Sequence, residues 1–204
     1  MTQPKVLTLS VWSDYVCPFC YLEVPELASV AAHFKGQLAI EWRAFELRPA
    51  PVATLDPDGD YLHDIWSRAV YPMARERGMT LRLPRIQPRS RLAHEAAKWA
   101  EAHDGFEALH IELFRGFFEE SLDLADPQAL IATAHRVGLD GASLGRYLAE
   151  GKYRDAVLAD QQEARRLGID GVPAMLLFRH GQLLGSIQGA QTRERLIQAV
   201  TSFL

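Results

Sequence analysis

The chain has 204 residues, of which 48% are apolar, and a formal net charge of −4. This length fits one domain, or one domain with a sizeable insertion, and the composition favours a buried core over disorder. A mildly acidic chain with scattered basic residues lacks the basic face that phosphate binding needs. No stretch approaches the roughly 18 apolar residues of a membrane span. We therefore expect neither nucleic acid nor membrane as a partner.

The first predicted element is a strand over residues 5–12. Its apolar run from Val6 to Trp12 is interrupted by Thr8 and Ser10, and a single lysine precedes it. This alternation indicates a strand rather than a signal peptide. We therefore expect a cytoplasmic protein, in which a cysteine pair is more often catalytic or metal-binding than structural.

A strand–helix–strand unit opens the chain. Pro18 suits the first turn of a helix, Gly36 ends it, and residues 38–45 form a second strand by alternation. A loop follows, and from about 62 to 167 nearly everything has helical periodicity, with a break or kink at Pro72. The two strands are expected to be parallel.

The β-pattern returns near the C-terminus. Residues 172–178 and 183–187 predict a hairpin, and a last helix is expected from about 192 to 203. Strands at both ends of the chain, separated by a helical block, predict one α/β domain with a helical insertion.

The only two cysteines, Cys17 and Cys20, directly follow the first strand and open the helix. A cysteine at a helix N-terminus meets unpaired backbone N–H groups and the positive end of the helix dipole, which favour the thiolate. The second cysteine lies one turn deeper, where it can attack a mixed disulfide on the first. This arrangement predicts a redox pair. Zinc is not expected, because neither a second CxxC nor a suitable pair of histidines accompanies the motif.

Four residues lie next to the cysteines in the sequence: Pro18 and Phe19 between them, and Asp14 and Trp12 before them. Pro18 and Phe19 separate the cysteines and carry no charge, which predicts an intermediate reduction potential. Asp14 either caps the turn before the helix or shuttles a proton to Cys20. Trp12 either lines a substrate groove or packs in the core.

A second feature is the dipeptide Val172-Pro173 at the start of a predicted strand. A cis bond there would leave the Val172 backbone as a free edge that could pair with an extended substrate. Frequencies alone favour an ordinary trans proline, since only about 5–6% of X–Pro bonds are cis.

The segments VWSDYVCPFCYLE, IEWRAFELRP and GIDGVPAMLLFRHGQLLGSIQGAQ resemble the DsbA-like thioredoxin-fold family, and within it the cytoplasmic FrnE-type dithiol oxidoreductases. The resemblance implies an α/β thioredoxin fold formed by residues 1–60 and 151–204, with an inserted helical subdomain over 61–150. It also implies a nucleophilic Cys17, a resolving Cys20 and a cis Pro173 packed against them.

The expected enzyme exchanges thiols and disulfides with peptide-like or small-molecule substrates. Its partners would be a disulfide-containing protein or a small thiol, together with a cytoplasmic thiol reductant. No tightly bound cofactor is expected, although glutathione fits as a co-substrate. The oligomeric state, monomer or homodimer, and the net direction of the reaction stay open.

Two other functions stay open. The same superfamily includes kappa-class glutathione transferases and 2-hydroxychromene-2-carboxylate isomerases, which typically have serine where this chain has Cys17. A peptide-binding chaperone module is the alternative without catalysis. His94 and His110 are interpreted as core histidines, and the arginines of LRLPRIQPRSR as surface residues rather than contacts to an anionic substrate.

Overall fold

The computed structural model describes residues 7–204. Residues 5 and 6 of the first predicted strand, and residues 1–6 of the predicted domain, lie outside this range. The described residues form a thioredoxin fold with a helical insertion, as the sequence predicts.

The sheet has four strands in the order β2-β1-β3-β4. β1 runs parallel to β2 and antiparallel to β3, and β3 and β4 form an antiparallel hairpin with an irregularity at Leu177/Phe178. The strands are β1 (Leu7–Ser13), β2 (Leu38–Ala44), β3 (Ala174–Arg179) and β4 (Gln182–Gln188). The predicted parallel pairing of the first two strands and the predicted hairpin of the last two are confirmed, and the described strand ends differ from the prediction by at most two residues.

Helices cover both faces of the sheet and fill the segment between β2 and β3. They are α1 (Pro18–His33), α2 (Asp60–Ile65), α3 (Tyr71–Glu76), α4 (Arg91–Glu101), α5 (Phe106–Glu120), α6 (Pro127–Arg136), α7 (Gly141–Glu150), α8 (Arg154–Arg166) and α9 (Arg193–Thr201). None of the helices within residues 7–204 is both long and apolar enough to cross a membrane.

Pro72 disturbs the first inserted helix without ending it. A π-helical turn, Trp66–Val70, connects α2 to α3 just before this proline. Proline has no N–H to donate to the carbonyl four residues earlier, and a wider turn is one way to accommodate the lost hydrogen bond.

One expectation for the helical block is wrong. Residues 77–90 form no helix, because Pro84 and Pro88 interrupt the backbone hydrogen bonding that a helix requires. This loop instead crosses the insertion, where the Arg82 amide donates to the Phe118 carbonyl at 2.8 Å. It therefore contributes to the surface around the cysteines.

Three buried clusters organise the core. On one face of the sheet, Leu9 and Val11 of β1 pack with Leu27 and Val30 of α1. The opposite face packs against α8 through a cluster that includes Trp12. The helical insertion has the largest cluster, and it includes both cysteines. The CxxC motif therefore lies where the insertion meets the thioredoxin core, whereas the domain boundaries at 61 and 150 stay a prediction.

Candidate active site

The cysteines lie at the junction between β1 and α1. Cys17 is the residue preceding the first helical turn, with φ −93° and ψ 113°, and its carbonyl accepts hydrogen bonds from the amides of Cys20 (3.1 Å) and Tyr21 (3.3 Å). Pro18 occupies the first helical position, where its missing N–H removes no helical hydrogen bond. Cys17 thus lies at the positive end of the α1 dipole, as the sequence predicts.

The two thiols are both free, and they differ in environment. Cys17 is 4% exposed and borders a cleft, whereas Cys20 is fully buried. Burial raises the pKa of Cys20 well above the usual thiol range, and a hydrogen bond with Cys17 raises it further. The Asp14 amide and the Ser13 hydroxyl oppose this shift but do not cancel it. Cys20 therefore remains a thiol, whereas Cys17 borders the cleft.

The Val172-Pro173 segment lies beside Cys17 Sγ. The Cys17 thiol donates to the Val172 carbonyl with an Sγ–O distance of 3.5 Å, and the Val172-Pro173 bond is cis. The Pro173 carbonyl accepts from the Gly189 amide, which fixes this segment to the end of β4. The structure thus brings Cys17, Val172 and Pro173 together, as the resemblance implies.

A cleft of about 400 Å³ opens in front of Cys17. This volume falls within the range of small-molecule sites. Most of its lining is apolar, with Phe19 and Val172 beside the cysteine and Leu62 and Trp66 on the inserted helices. The insertion therefore borders the active site and limits what can approach Cys17.

The cleft has few charged groups. Arg48, in the loop after β2, is half-buried in its wall and forms no ion pair with any described residue. Asp170 also lines the cleft, and its side chain is exposed. No sequence pattern indicates that Arg48 lines the cleft, because Arg48 stands in an irregular loop, where no periodicity determines which way a side chain points.

Trp12 does not reach this cleft. Its side chain is 1% exposed on the α8 face of the sheet, and its Nε1 donates to the Asp160 carbonyl at 3.1 Å. Core packing, one of the two roles considered for Trp12, is therefore the one that the structure shows. The groove position belongs to residues of the helical insertion such as Trp66.

Asp14 connects the motif to its surroundings. One carboxylate oxygen accepts from the Leu47 amide at 2.7 Å, and the other accepts from the Val16 amide at 3.5 Å and contacts His94 Nε2 at 3.2 Å. Asp14 therefore stabilises the turn before α1 and holds the loop that carries Arg48. His94 is buried and paired, as expected of a core histidine.

Only one of the two ring nitrogens of His110 has a hydrogen-bond partner among the described residues. Its Nδ1 lies 2.8 Å from the Tyr15 hydroxyl, whereas its buried Nε2 has no hydrogen-bond partner among residues 7–204. Burial lowers the pKa of His110 to about 3, so the ring is neutral at physiological pH. Within the described residues, no group of three or more potential metal ligands is found.

The sequence of the chain matches a known protein family. The DSBA-like thioredoxin domain matches residues 8–200, so the chain belongs to this family. Its fold is that of the DsbA-like thiol oxidoreductases. The Bacillus subtilis protein YwbO is 34% identical over 151 residues, which make up 72% of this chain and 74% of YwbO.

Solved structures agree with this assignment. A probable DsbA oxidoreductase from Streptomyces coelicolor is 26% identical with a TM-score of 0.77, over 96% of this chain and 89% of that one. A 2-hydroxychromene-2-carboxylate isomerase is 19% identical with a TM-score of 0.74, over 96% of this chain and 94% of the isomerase. At that identity, the likeness to the isomerase concerns the fold alone.

Proposed function

We propose that this protein is a thiol–disulfide oxidoreductase in which Cys17 attacks the substrate disulfide and Cys20 resolves the intermediate. The observation that supports this most strongly is the unequal placement of the two free thiols. Cys17 borders the cleft at the start of α1, and Cys20 is fully buried one turn deeper. A pair that only stabilised the fold would gain little, because a disulfide across this spacing constrains very little chain.

The reaction proceeds in two exchanges. The Cys17 thiolate attacks one sulfur of a substrate disulfide, forms a mixed disulfide and releases the other substrate sulfur as a thiolate. Cys20 then attacks Cys17 Sγ, the Cys17–Cys20 disulfide forms, and the second substrate thiolate leaves. Two electrons pass from the protein dithiol to the substrate, and the reverse sequence oxidises a substrate dithiol. A cytoplasmic thiol reductant would return the protein to its reduced form.

The cleft favours substrates that present their disulfide on an apolar or extended segment. The backbone of residues 170–172 lines the cleft beside Cys17. An extended peptide lying there could hydrogen-bond to this segment while Phe19 and Trp66 contact its side chains. We therefore propose peptide-like disulfides and small-molecule disulfides as the two substrate classes.

A second candidate function is supported by Arg48. A cleft of about 400 Å³ whose Arg48 forms no ion pair with residues 7–204 can hold a small anionic thiol, and glutathione has this chemistry. Bound glutathione could serve as a co-substrate of the oxidoreductase. It could also serve a glutathione-dependent isomerase, although Cys17 stands where such isomerases typically have serine.

Two assays on the purified reduced protein test these functions side by side. One follows reduction of insulin disulfides with glutathione as reductant, and the other follows glutathione-dependent isomerisation of 2-hydroxychromene-2-carboxylate. The oxidoreductase reduces insulin and loses this activity in Cys17→Ser. Isomerisation that persists in Cys17→Ser would overturn the proposal. Binding of unfolded peptide without either activity would indicate a chaperone module.

A further inference from the structure

The substrate cleft has two charged side chains of opposite sign. Of the described residues that line it, Arg48 and Asp170 are charged, and apart from the thiol of Cys17 the others are apolar or uncharged polar residues. Neither Arg48 nor Asp170 has an ion pair or a side-chain hydrogen bond with residues 7–204. Both charges are therefore available to a ligand.

The order of the strands places these two charges on opposite sides of Cys17. β1 lies between β2 and β3 in the sheet. Because β2 is parallel to β1 and β3 is antiparallel, the ends of β1 and β2 and the start of β3 lie at one edge of the sheet. Cys17 follows β1, Arg48 follows β2 and Asp170 precedes β3. A cation and an anion therefore flank the CxxC turn.

Short hydrogen bonds connect Arg48 to the CxxC turn. The Asp14 carbonyl accepts from the Cys17 amide at 3.0 Å, and the Asp14 carboxylate accepts from the Leu47 amide at 2.7 Å. The Arg48 carbonyl accepts from Arg89 Nη1 at 2.9 Å. The backbone that carries the Arg48 side chain is therefore held next to the turn, and the side chain itself is half-buried.

Asp170 is connected to Cys17 through the segment before β3. The Val172 carbonyl accepts from the Cys17 thiol with an Sγ–O distance of 3.5 Å. Asp170 precedes Val172 by two residues, which span at most about 7 Å between their Cα atoms. The Asp170 carboxylate thus lies near Cys17 on the side away from β2. Because Asp170 is exposed, it can meet a ligand at the mouth of the cleft.

A disulfide that reacts with Cys17 has two halves, and these point to different parts of the cleft. A carboxylate on one half can meet Arg48 while an ammonium group on the other half meets Asp170. Disulfides of amino-acid thiols have a carboxylate and an ammonium group in each half. Such a disulfide satisfies both charges of the cleft whichever of its sulfurs is attacked.

We infer that the cleft selects disulfides of amino-acid thiols, with Arg48 binding a carboxylate of the substrate and Asp170 binding an ammonium group. Cystine and glutathione disulfide share this chemistry. The inference rests on the proposed function, because it names the substrate class of the same site. Arg48 and Asp170 are specificity-determining residues, and the exchanges at Cys17 and Cys20 proceed as they do with any other disulfide.

The same two charges disfavour disulfides that carry charge of one sign. A disulfide with carboxylates alone gains a contact with Arg48 but meets Asp170 as a like charge. A disulfide with ammonium groups alone meets Arg48 as a like charge. Like charges placed against the wrong ligand are a common source of specificity. The cleft therefore discriminates by charge in both directions.

The test uses four disulfides that differ in charge. Reduced protein is mixed with cystine, with dithiodipropionate, which has carboxylates alone, with cystamine, which has ammonium groups alone, or with neutral hydroxyethyl disulfide. Samples are quenched in acid, remaining thiols are alkylated, and mass spectrometry gives the rate constant of oxidation. Each variant is compared with the wild type on the same disulfide, so the intrinsic reactivity of that disulfide cancels.

The two variants should show opposite patterns. Arg48→Met should slow oxidation by dithiodipropionate about three- to tenfold and leave oxidation by cystamine unchanged or faster. Asp170→Asn should slow oxidation by cystamine about two- to fivefold, a smaller effect because Asp170 is exposed, and should not slow dithiodipropionate. Cystine should be slowed by both substitutions. Hydroxyethyl disulfide should be slowed by neither, which shows that the thiols and the fold are intact.

Matched variants exclude a general effect of charge. Arg85→Met and Asp155→Asn remove the same charges from exposed positions outside the cleft lining, and neither should change the rate with any of the four disulfides. Raising the ionic strength should reduce the differences between the charged disulfides in the wild type, because exposed charges are screened by salt.

A further arm separates the two sources of amino-acid disulfide. In cystine the charged groups lie close to the sulfur, whereas in glutathione disulfide they lie beyond peptide bonds. Both disulfides are compared in the double variant Arg48→Met/Asp170→Asn. A larger loss with cystine assigns the site to free amino-acid disulfides, and a larger loss with glutathione disulfide assigns it to the peptide.

The outcomes distinguish this inference from the proposed function. If no disulfide oxidises the wild type, or Cys17→Ser reacts as fast as the wild type, the oxidoreductase proposal fails. If the wild type reacts but Arg48→Met slows dithiodipropionate and cystamine equally, the inference is overturned. It is also overturned if Asp170→Asn stays within roughly 1.5-fold of the wild type with cystamine.

Discussion

The two sides of the CxxC turn are built for different tasks. In front of Cys17 lies an apolar cleft of about 400 Å³ bordered by the helical insertion. A separate cavity of about 20 Å³ borders Ser13, Tyr15 and His110. One side has room for a substrate, and the other has room for about one water molecule.

This difference shows how one short motif can give two thiols separate roles. Cys17 gains access to the cleft and the end of a helix dipole, whereas Cys20 gains burial. The sequence spacing provides only the one-turn separation. The surrounding helices and strands provide the difference in exposure between the two thiols.

The largest expected effect is the difference in trapped mixed disulfide between the single substitutions of the two cysteines. Cys20→Ser should accumulate mixed disulfides with glutathione or client proteins, because the first exchange proceeds and the second is blocked. Cys17→Ser should trap none and should lose roughly a thousandfold or more of its disulfide-reducing activity. Non-reducing gels and mass spectrometry detect the adducts, and dithiothreitol should remove them. Equal trapping by both variants would show that the assigned order of attack is wrong.

Much of the scaffold could be predicted from local patterns. Alternation identified β1 and β2, and the 3.6-residue period of Leu109, Leu113 and Phe117 identified α5. Asp126 precedes Pro127 at the start of α6, a pattern that favours a helix cap, and its side chain accepts from the Gln128 amide at 2.9 Å. These features depend on neighbours in the chain, so the sequence contains most of the information that determines them.

The walls of the two cavities could not be predicted in this way. Arg48, Trp66 and His110 lie 28 or more positions beyond Cys20 in the chain, and tertiary packing alone brings them near it. His110 fits the apolar stripe of α5, so the periodic pattern indicated a core residue. Only the fold shows that its buried Nε2 lacks a hydrogen-bond partner among residues 7–204 and that His110 borders the small cavity.

The next effect concerns the ionisation of the two thiols. Burial raises the pKa of Cys20, so thiolate absorbance in Cys17→Ser, where Cys20 remains, should appear only at alkaline pH. Cys20→Ser removes the buried thiol, and the component that ionises only at alkaline pH should disappear with it. An ultraviolet pH titration of both reduced variants measures the difference. Ionisation of Cys20 within the usual pH range of a thiol would show that burial does not raise its pKa.

The helical insertion is tied to α1 through a buried carboxylate. Arg77, directly after α3, donates to Glu23 Oε2 at 3.1 Å and to the Leu22 carbonyl at 2.6 Å. The Gln191 amide also donates to Glu23, at 3.1 Å. Glu23 is fully buried, and burial outweighs these contacts and raises its pKa to about 7.

This shift predicts a pH-dependent stability. Between about pH 4.5 and 7, folded Glu23 keeps a proton that the unfolded chain has lost, so the free energy of unfolding should fall as pH rises. The expected loss is about 1–3 kcal/mol. Denaturant titrations should show that Glu23→Gln removes this part of the pH dependence, whereas the exposed Glu150→Gln retains it. A pH dependence unchanged in Glu23→Gln would mean that Glu23 stays ionised in the fold.

The smallest expected effect concerns the charge in the substrate cleft. If Arg48 binds a substrate carboxylate, Arg48→Met should raise KM for glutathione disulfide by about three- to tenfold and leave KM for the uncharged hydroxyethyl disulfide nearly unchanged. Arg85→Met removes the same charge from the exposed part of the neighbouring loop, outside the cleft lining, and should affect neither substrate. An equal rise for both disulfides in Arg48→Met would indicate that Arg48 shapes the wall and does not recognise charge. Since the ion contact is weakened by salt, the difference between the two substrates should also shrink as ionic strength increases, which a loss of shape alone would not produce.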